Sequence, residues 1–231
     1  MSEVIILGCG PTHVECKYHC ETWGVNGTYT FAQRLDKLFM TDEAVEVNAT
    51  HYEIQKMREL NPVMVFPVDY EKFRGNGFKV EIYPIERVQE RFPTRFFSNT
   101  IAYMIAYALV NTKTIQDSPR PRVVDGYNRI LLYGIDMMTH STYVQEKGGV
   151  EYWMGVALGM GVEVTNTKGS ATGKTWNGRM YGYWGQLQEE MLKERLMAPW
   201  EIIKGVSKSE AVPAIEDEWT QSGQDWIKVP Q

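Results

Sequence analysis

VIILGCGPT, residues 4–12, carries the clearest signal of fold class in this sequence. Its first four residues are apolar on both faces, which is typical of a strand buried in a parallel sheet. A glycine-rich turn, Gly8-Cys9-Gly10-Pro11, follows, and Thr12 is placed to cap a helix after the turn. A buried strand that leads through glycines into a helix predicts the first unit of an α/β protein.

The same alternation continues along the chain. Further strands are predicted at 21–26, 37–41, 63–66, 79–83, 129–134 and 162–164, with 79–83 at the edge of the sheet. Helices are predicted at 51–60, 84–91, 99–110, 150–161 and 186–196. This order predicts a Rossmann-like α/β fold, with one predominantly parallel sheet and helices on both faces.

Composition changes along the chain predict its domain organisation. We expect 1–165 to form a nucleotide-binding domain, interrupted by a polar insertion loop at 111–127. Glycine and aromatic residues dominate after Thr165. We therefore expect 166–231 to form an aromatic-rich loop, a helix and a polar tail that pack on the first domain or extend from it.

Charge and cysteine content exclude several classes of function. The net charge is −5 and the isoelectric point is near 5.5, so there is no strong nucleic-acid signal. No apolar run is long enough to span a bilayer, and the N-terminal run lacks the basic start of a signal peptide. We expect a cytoplasmic protein with reduced thiols. Cys9, Cys16 and Cys20 do not have the spacing of a structural zinc site, so no metal is predicted.

Parallel sheets bind ligands outside the carboxyl ends of their strands, and polar residues at those positions are the candidate site. They are Gly8, Cys9, Gly10 and Thr12 in the first turn, Asn26 after the second strand, Ser98, Asn99 and Thr100 at the start of the apolar helix, and Asp136 after the sixth strand. Glycines admit a ligand close to the backbone, helix starts bind anions, and a carboxylate binds ribose or acts as general base. Tight turns and ordinary helix capping are the alternatives.

More polar residues follow the sixth strand: His140, Tyr143, Gln145, Glu146, Glu151 and Tyr152. His140 joins Asp136 as a candidate catalytic base, because imidazole titrates near neutral pH. Within the aromatic stretch 176–184, Arg179 is placed to meet a phosphate as part of a lid. Packing at a subunit interface is the alternative for this stretch, which leaves a homo-oligomer open.

Four blocks, 4–12, Asn26, 99–106 and 130–136, resemble the small bacterial sialyltransferases that use CMP-sialic acid. They also resemble a wider group of Rossmann-like proteins that includes archaeal 6-hydroxymethylpterin diphosphokinases and uncharacterised phage-encoded proteins. The resemblance implies a nucleotide or nucleotide sugar as substrate, and host cytoplasm as the location if the chain is phage-encoded. It also implies nucleotide contacts from the residues that match the family's motifs: Gly8, Gly10, Asn26 and Thr100. Asp136 matches the family's aspartate.

The chain departs from that family at identifiable positions. Cys9 stands where the family has asparagine, and Thr100-Ile101 where it has Ser-Gly. The insertion at 111–127 has no counterpart. The family's catalytic histidine lies well beyond the aspartate, whereas no histidine follows His140 here.

Three hypotheses therefore compete. The first is sugar transfer from a small-molecule nucleotide donor to an unknown acceptor. The second is diphosphate transfer, which needs Mg²⁺ held by carboxylates such as Asp42, Asp136 and Glu151. The third is non-catalytic: the chain sequesters a nucleotide, or it is structural, with a filled cleft and with Thr100 and Asp136 bonded only to neighbouring protein.

Overall fold

In the computed structural model of the chain, the described residues are 2–41, 51–137, 142–173, 219–222 and 225–228. For 51–52, 142–144 and the last two segments, the backbone alone is described.

Seven strands form the main sheet: β1 (Ser2–Leu7), β2 (Glu21–Val25), β3 (Lys37–Phe39), β4 (Val63–Phe66), β5 (Val80–Ile82), β8 (Tyr127–Tyr133) and β9 (Glu163–Asn166). Their order is β5-β4-β3-β2-β1-β8-β9, and every neighbouring pair is parallel. The predicted Rossmann-like α/β fold is confirmed, with β5 at the edge as expected. The chain moves outward from β1 on one side and then returns to add β8 on the other. The topological switch point therefore lies between β1 and β8.

The helices are α1 (His51–Leu60), α2 (Glu71–Gly75), α3 (Ile85–Arg91), α4 (Thr100–Val110) and α5 (Thr142–Gly159). They cover both faces of the sheet. Val4 and Ile6 of β1 point into the core that contains α3, α4 and α5. Ile5 and Leu7 point into the core that contains α1 and α2. Successive side chains of a strand face opposite ways, so a strand buried on both faces is apolar throughout.

Helix α4 is the central helix of the larger core. Asn99 is its N-cap, and the side-chain Oδ1 accepts a hydrogen bond from the backbone N–H of Ala102 at 3.0 Å. Ala102 and Ala106 are fully buried. Small side chains let the helix lie close to the sheet, and the cap fixes the position at which the helix begins.

Three local predictions were wrong. The first turn leads into a five-residue 3₁₀ helix, Pro11–Glu15, in which no side chain caps the N-terminus. The insertion at 111–127 contains an antiparallel hairpin, β6 (Lys113–Ile115) and β7 (Arg122–Asp125), rather than a loop. An ion pair of 2.9 Å between Lys113 and Asp125 joins the two strands.

The third error concerns the start of α5, which was predicted at residue 150. The helix begins at Thr142 and runs through Gly148 and Gly149. A Cβ atom on Gly149 would overlap the side chain of Ser98, including its Cβ at 2.9 Å. This glycine serves close packing between segments and does not mark the end of a helix.

The chain divides into two compact units, Met1–Lys174 and Thr175–Gln231. The second contains an antiparallel pair, β10 (Trp219–Ser222) and β11 (Asp225–Lys228), in the region predicted to be a polar tail. The predicted helix at 186–196 lies outside the described residues. In the described part of the chain, no helix has the length and hydropathy needed to cross a bilayer.

Candidate functional site

A pocket of about 810 Å³ lies where β1, β2, β3 and β8 end. Its lining comes from four chain segments and three further positions: 8–11, 25–26, 97–101 and 134–137, with Thr41, Tyr103 and Glu146. The four polar patches predicted at strand and helix ends thus meet at one pocket. The volume is within the range of roughly 300–1,000 Å³ that is usual for small-molecule sites.

The glycines of the first turn bring the ends of β1 and β8 together. The backbone N–H of Gly8 donates to the carbonyl of Tyr133 at 2.8 Å, and that of Gly10 donates to the carbonyl of Gly134 at 2.7 Å. A Cβ atom on Gly10 would lie 2.5 Å from Oδ2 of Asp136 and 2.7 Å from the Gly134 carbonyl. The close approach of these two chain segments therefore requires glycine at position 10.

Hydrogen bonds between Asp136 and Thr12 fix the position of this turn. Asp136 is 6% exposed, and its Oδ2 accepts from the Thr12 backbone N–H at 2.9 Å while its Oδ1 accepts from the Thr12 hydroxyl at 2.5 Å. The Thr12 hydroxyl also accepts from the Gly134 N–H at 3.1 Å and from the Thr167 hydroxyl at 2.9 Å. Thr12 lies behind the pocket wall and is not part of the lining. Because both of its carboxylate oxygens accept from Thr12, Asp136 serves to position the first turn.

Asn26 and Cys9 form another part of the wall. Asn26 has a φ of +46°, a left-handed conformation that asparagine adopts more readily than most side chains. The Cys9 thiol donates to the Val25 carbonyl at 3.8 Å. Cys9 is exposed to the pocket, yet partial desolvation of its thiol raises its pKa, so it remains protonated at neutral pH.

The start of α4 forms the opposite wall, and each of its three polar side chains has a partner. Asn99 caps the helix, the Ser98 hydroxyl donates to the Glu146 carbonyl at 2.6 Å, and the hydroxyls of Thr100 and Thr41 lie 2.6 Å apart. The first backbone N–H groups of a helix have no acceptor within the helix. Thr100 and Ile101 line the pocket, so the positive end of α4 lies where an anionic group could bind.

Thr41, Phe97 and Tyr103 are among the lining residues that sequence reasoning did not assign to the site. Phe97 and Tyr103 form a stacked aromatic pair with ring centroids 4.4 Å apart. Thr41 ends the third predicted strand, so its position at a carboxyl end was a signal that could have found it. Glu146 stood among the polar residues after the sixth strand. Its Oε2 accepts from the Asn99 side-chain amide at 3.3 Å.

Among the described residues, the predicted Gln145, Glu151 and Tyr152 do not line this pocket. His140 and Arg179 lie outside the described residues. Gln145 and Tyr152 are exposed, and Tyr152 and Glu151 are not among the lining residues. Glu151 instead accepts from the Gly173 backbone N–H at 2.9 Å.

Potential metal ligands gather elsewhere. Among the described residues, Glu3, His19 and Cys20 bring ligand atoms within 4.8 Å of one another. Glu3 is the second residue of β1, so this cluster lies at the end of the strand away from the pocket. The Glu3 carboxylate already pairs with Arg129 at 2.8 Å and contacts His19 at 3.3 Å.

The charge of the pocket limits what it can bind. Among its described lining residues, Asp136 and Glu146 are the acids, and none is lysine or arginine. On these walls a negative charge on a ligand would lie near two carboxylates, and the groups able to bind it are backbone amides, the α4 terminus and neutral side chains. Such a lining suits a ligand of low charge better than a metal-bound diphosphate.

Comparison with solved structures returns bacterial sialyltransferases. One is the sialyltransferase CstII from Campylobacter jejuni with the substrate analogue CMP-3FNeuAc, 15% identical, covering 72% of this chain and 80% of that one at a TM-score of 0.48. The same enzyme with a trisaccharide acceptor and CMP is 14% identical, with 78% and 88% covered and a TM-score of 0.46. An α-2,3-sialyltransferase from the same organism is 13% identical, with 86% and 95% covered and a TM-score of 0.44.

No protein-family model matches the chain, and no curated protein matches it. Identities and TM-scores this low assign no activity to the chain. Its function has to be inferred from the pocket itself.

Proposed function

We propose that this protein binds a nucleotide sugar in the pocket and transfers the sugar to an acceptor. The observation that carries the proposal is the convergence of 8–11, 25–26, 97–101 and 134–137 on one cavity of about 810 Å³ at the switch point of a parallel sheet. Pockets at this position in doubly wound sheets are the usual sites for nucleotides.

Different walls of the pocket are suited to different parts of a nucleotide sugar. Phe97 and Tyr103 offer aromatic surface to a base or a sugar ring. The N-terminus of α4 offers backbone amides to a phosphate. A nucleoside monophosphate sugar carries one negative charge at the phosphate linkage and suits a lining without described cations. CMP-sialic acid, which the sequence resemblance implies, is a donor of this class and carries a second negative charge on its sugar carboxylate.

Diphosphate transfer is less well supported. It needs carboxylates free to hold Mg²⁺. Both oxygens of Asp136 accept from Thr12, and Glu151 binds the Gly173 amide away from the pocket lining. Asp42 lies outside the described residues.

A purely structural role would leave the cleft filled and the polar side chains bonded only to protein. The second condition is met, because Thr100 bonds to Thr41 and Asp136 bonds to Thr12. The first is not met among the described residues, which leave about 810 Å³ between the walls. The open cavity favours a binding role.

Thermal unfolding with CMP, UMP, GDP, ATP and their sugar derivatives tests the proposal. A ligand at about one hundred times its Kd adds about 2.7 kcal/mol to the free energy of unfolding. We expect such stabilisation from CMP or CMP-sialic acid without added metal. A flat response across the whole panel would contradict the proposal.

A further inference from the structure

We infer that Glu146 is the general base of the proposed transfer and removes the proton from the acceptor hydroxyl. The inference rests on the proposed function and goes one step beyond it. Sequence reasoning placed the base at Asp136 or His140, and the pocket geometry assigns it to a different residue.

Glu146 lies near the start of α5 and lines the pocket, where it is partly exposed. Two contacts with the start of α4 fix its position. Its carbonyl accepts from the Ser98 hydroxyl at 2.6 Å, and its Oε2 accepts from the Asn99 amide at 3.3 Å. Gly149, one turn further along α5, packs against Ser98 so closely that a Cβ atom there would overlap it. The helix therefore presents this carboxylate in a defined place.

The two carboxylates of the lining differ in what remains available to a ligand. Asp136 is 6% exposed and accepts from Thr12 with both oxygens. Glu146 uses Oε2 alone, and its Oε1 has no hydrogen-bond partner among the described residues. A general base needs an unoccupied lone pair within reach of the hydroxyl that it deprotonates. Glu146 meets this requirement better, because its Oε1 accepts no hydrogen bond from the described residues and its side chain is partly exposed, whereas Asp136 is buried with one bond to each oxygen.

The Cys9 thiol is a poor substitute for the same role. Desolvation raises its pKa, so the thiolate is scarce at neutral pH. Its sulfur is also directed toward the Val25 carbonyl.

The acceptor O–H bond breaks, and its proton moves to Oε1 of Glu146. The acceptor oxygen uses that electron pair to form a bond to the anomeric carbon of the donor sugar. The bond from that carbon to the phosphate oxygen breaks, and its electron pair leaves on the nucleoside monophosphate. Glu146 then releases the proton to solvent.

Three variants of the full chain test the assignment: E146Q, E146A and the control E90Q. Glutamine can still accept from the Asn99 amide through its side-chain oxygen, but it is not a base. Glu90 is exposed on α3 outside the pocket lining, so its variant loses the same charge without touching the site. The measurements are CMP affinity and CMP release from CMP-sialic acid, with water and free sugars as acceptors.

We expect E146Q to bind CMP within about threefold of the parent chain, while kcat falls about 100-fold or more, the usual effect of losing a general base. Azide should restore CMP release in E146A, because azide attacks the anomeric carbon without needing deprotonation. E90Q should match the parent in both measurements. Rescue by azide separates a base from a residue that only supports the fold.

The outcomes distinguish the two proposals. If the parent chain binds no nucleotide, the proposed function fails and the assignment of Glu146 fails with it. If the parent binds and releases CMP but E146Q releases it as fast, only the assignment of Glu146 is overturned. Tight CMP binding with no release from the donor contradicts the proposed transfer and the assignment of Glu146 together, and it leaves nucleotide binding alone supported.

Discussion

Replacing Thr12 with valine tests the hydrogen bonds that hold the first turn against the end of β8. The Thr12 hydroxyl donates to the Asp136 carboxylate and accepts from Gly134 and Thr167. T12V keeps the shape of the side chain and removes all three bonds. The backbone bond from the Thr12 N–H to Asp136 remains.

The expected loss of stability in T12V comes from the groups that lose a hydrogen-bond partner, the Asp136 carboxylate and the Gly134 N–H. A hydrogen bond to a charged group contributes about 1.5–3 kcal/mol, and an unsatisfied backbone N–H costs about 1–3 kcal/mol. Because Asp136 is buried and the Gly134 N–H has no other acceptor among the described contacts, we expect a loss of about 3–5 kcal/mol in the free energy of unfolding. Such a loss is a large share of the stability of a typical domain.

Urea unfolding followed by far-UV circular dichroism measures the change. The midpoint should fall, and the slope of free energy against urea should stay the same. T12S is the matched control, because it keeps the hydroxyl and loses one methyl group at a cost of about 1 kcal/mol. A T12V protein within about 1 kcal/mol of the parent, or a T12S protein as unstable as T12V, would refute the reasoning.

Three further predictions concern single side chains. G10A places a Cβ atom 2.5 Å from the Asp136 carboxylate, and we expect urea unfolding to show a loss of about 1–3 kcal/mol together with weaker CMP binding. Burial raises the pKa of Glu81, but hydrogen bonds from Lys37 at 2.7 Å and from a tyrosine hydroxyl outweigh it and hold that pKa below its ordinary value. This stabilisation is complete above the unfolded-state pKa of about 4.3 and disappears as the pH falls through the folded-state pKa, so E81Q should flatten the acid side of a stability profile measured by urea unfolding. Peptide-level mass spectrometry should show slow alkylation of Cys9 at pH 7, faster alkylation above pH 9, and protection by CMP.

A specific result would contradict each of these three predictions. G155A is the control for G10A, because a Cβ atom on exposed Gly155 meets nothing within 4 Å and should raise stability by about 0.5–1 kcal/mol. Equal effects of the two substitutions would show that packing at Gly10 is unimportant. If the free energy of unfolding of E81Q falls with decreasing pH in parallel with that of the parent chain, Glu81 does not contribute to the loss of stability in acid. If Cys9 is alkylated at the same rate with and without CMP, the nucleotide does not bind next to Cys9.

The sheet and its main helix could be predicted because their signals are local. β4 and α1 have the predicted bounds, since a buried apolar run and a helical repeat ended by proline are each contained in a few residues. Helix α4 begins after its asparagine cap for the same reason. The rule that ligands bind at the carboxyl ends of parallel strands brought Asn26 and Asp136 to one edge.

Contacts between distant residues could not be predicted from such signals. The bond between Thr12 and Asp136 joins residues 124 positions apart, and a local pattern indicates only that a threonine after a turn can cap a helix. The helix was predicted to start at residue 150, and no local pattern shows that Gly149 lies inside it and lets α5 pack against Ser98. Glu146 was named among the polar residues after the sixth strand, but no local pattern shows which of the two lining carboxylates has an oxygen without a hydrogen bond.

The most direct test of the account is amide hydrogen exchange with and without CMP, UMP, GDP and ATP, each in turn. The central claim is that 8–11, 25–26, 97–101 and 134–137 surround one nucleotide. The account predicts that at least one nucleotide slows exchange in these four segments together and leaves the β6–β7 hairpin unchanged. Unchanged exchange with every nucleotide, or protection confined to other parts of the chain, would contradict it.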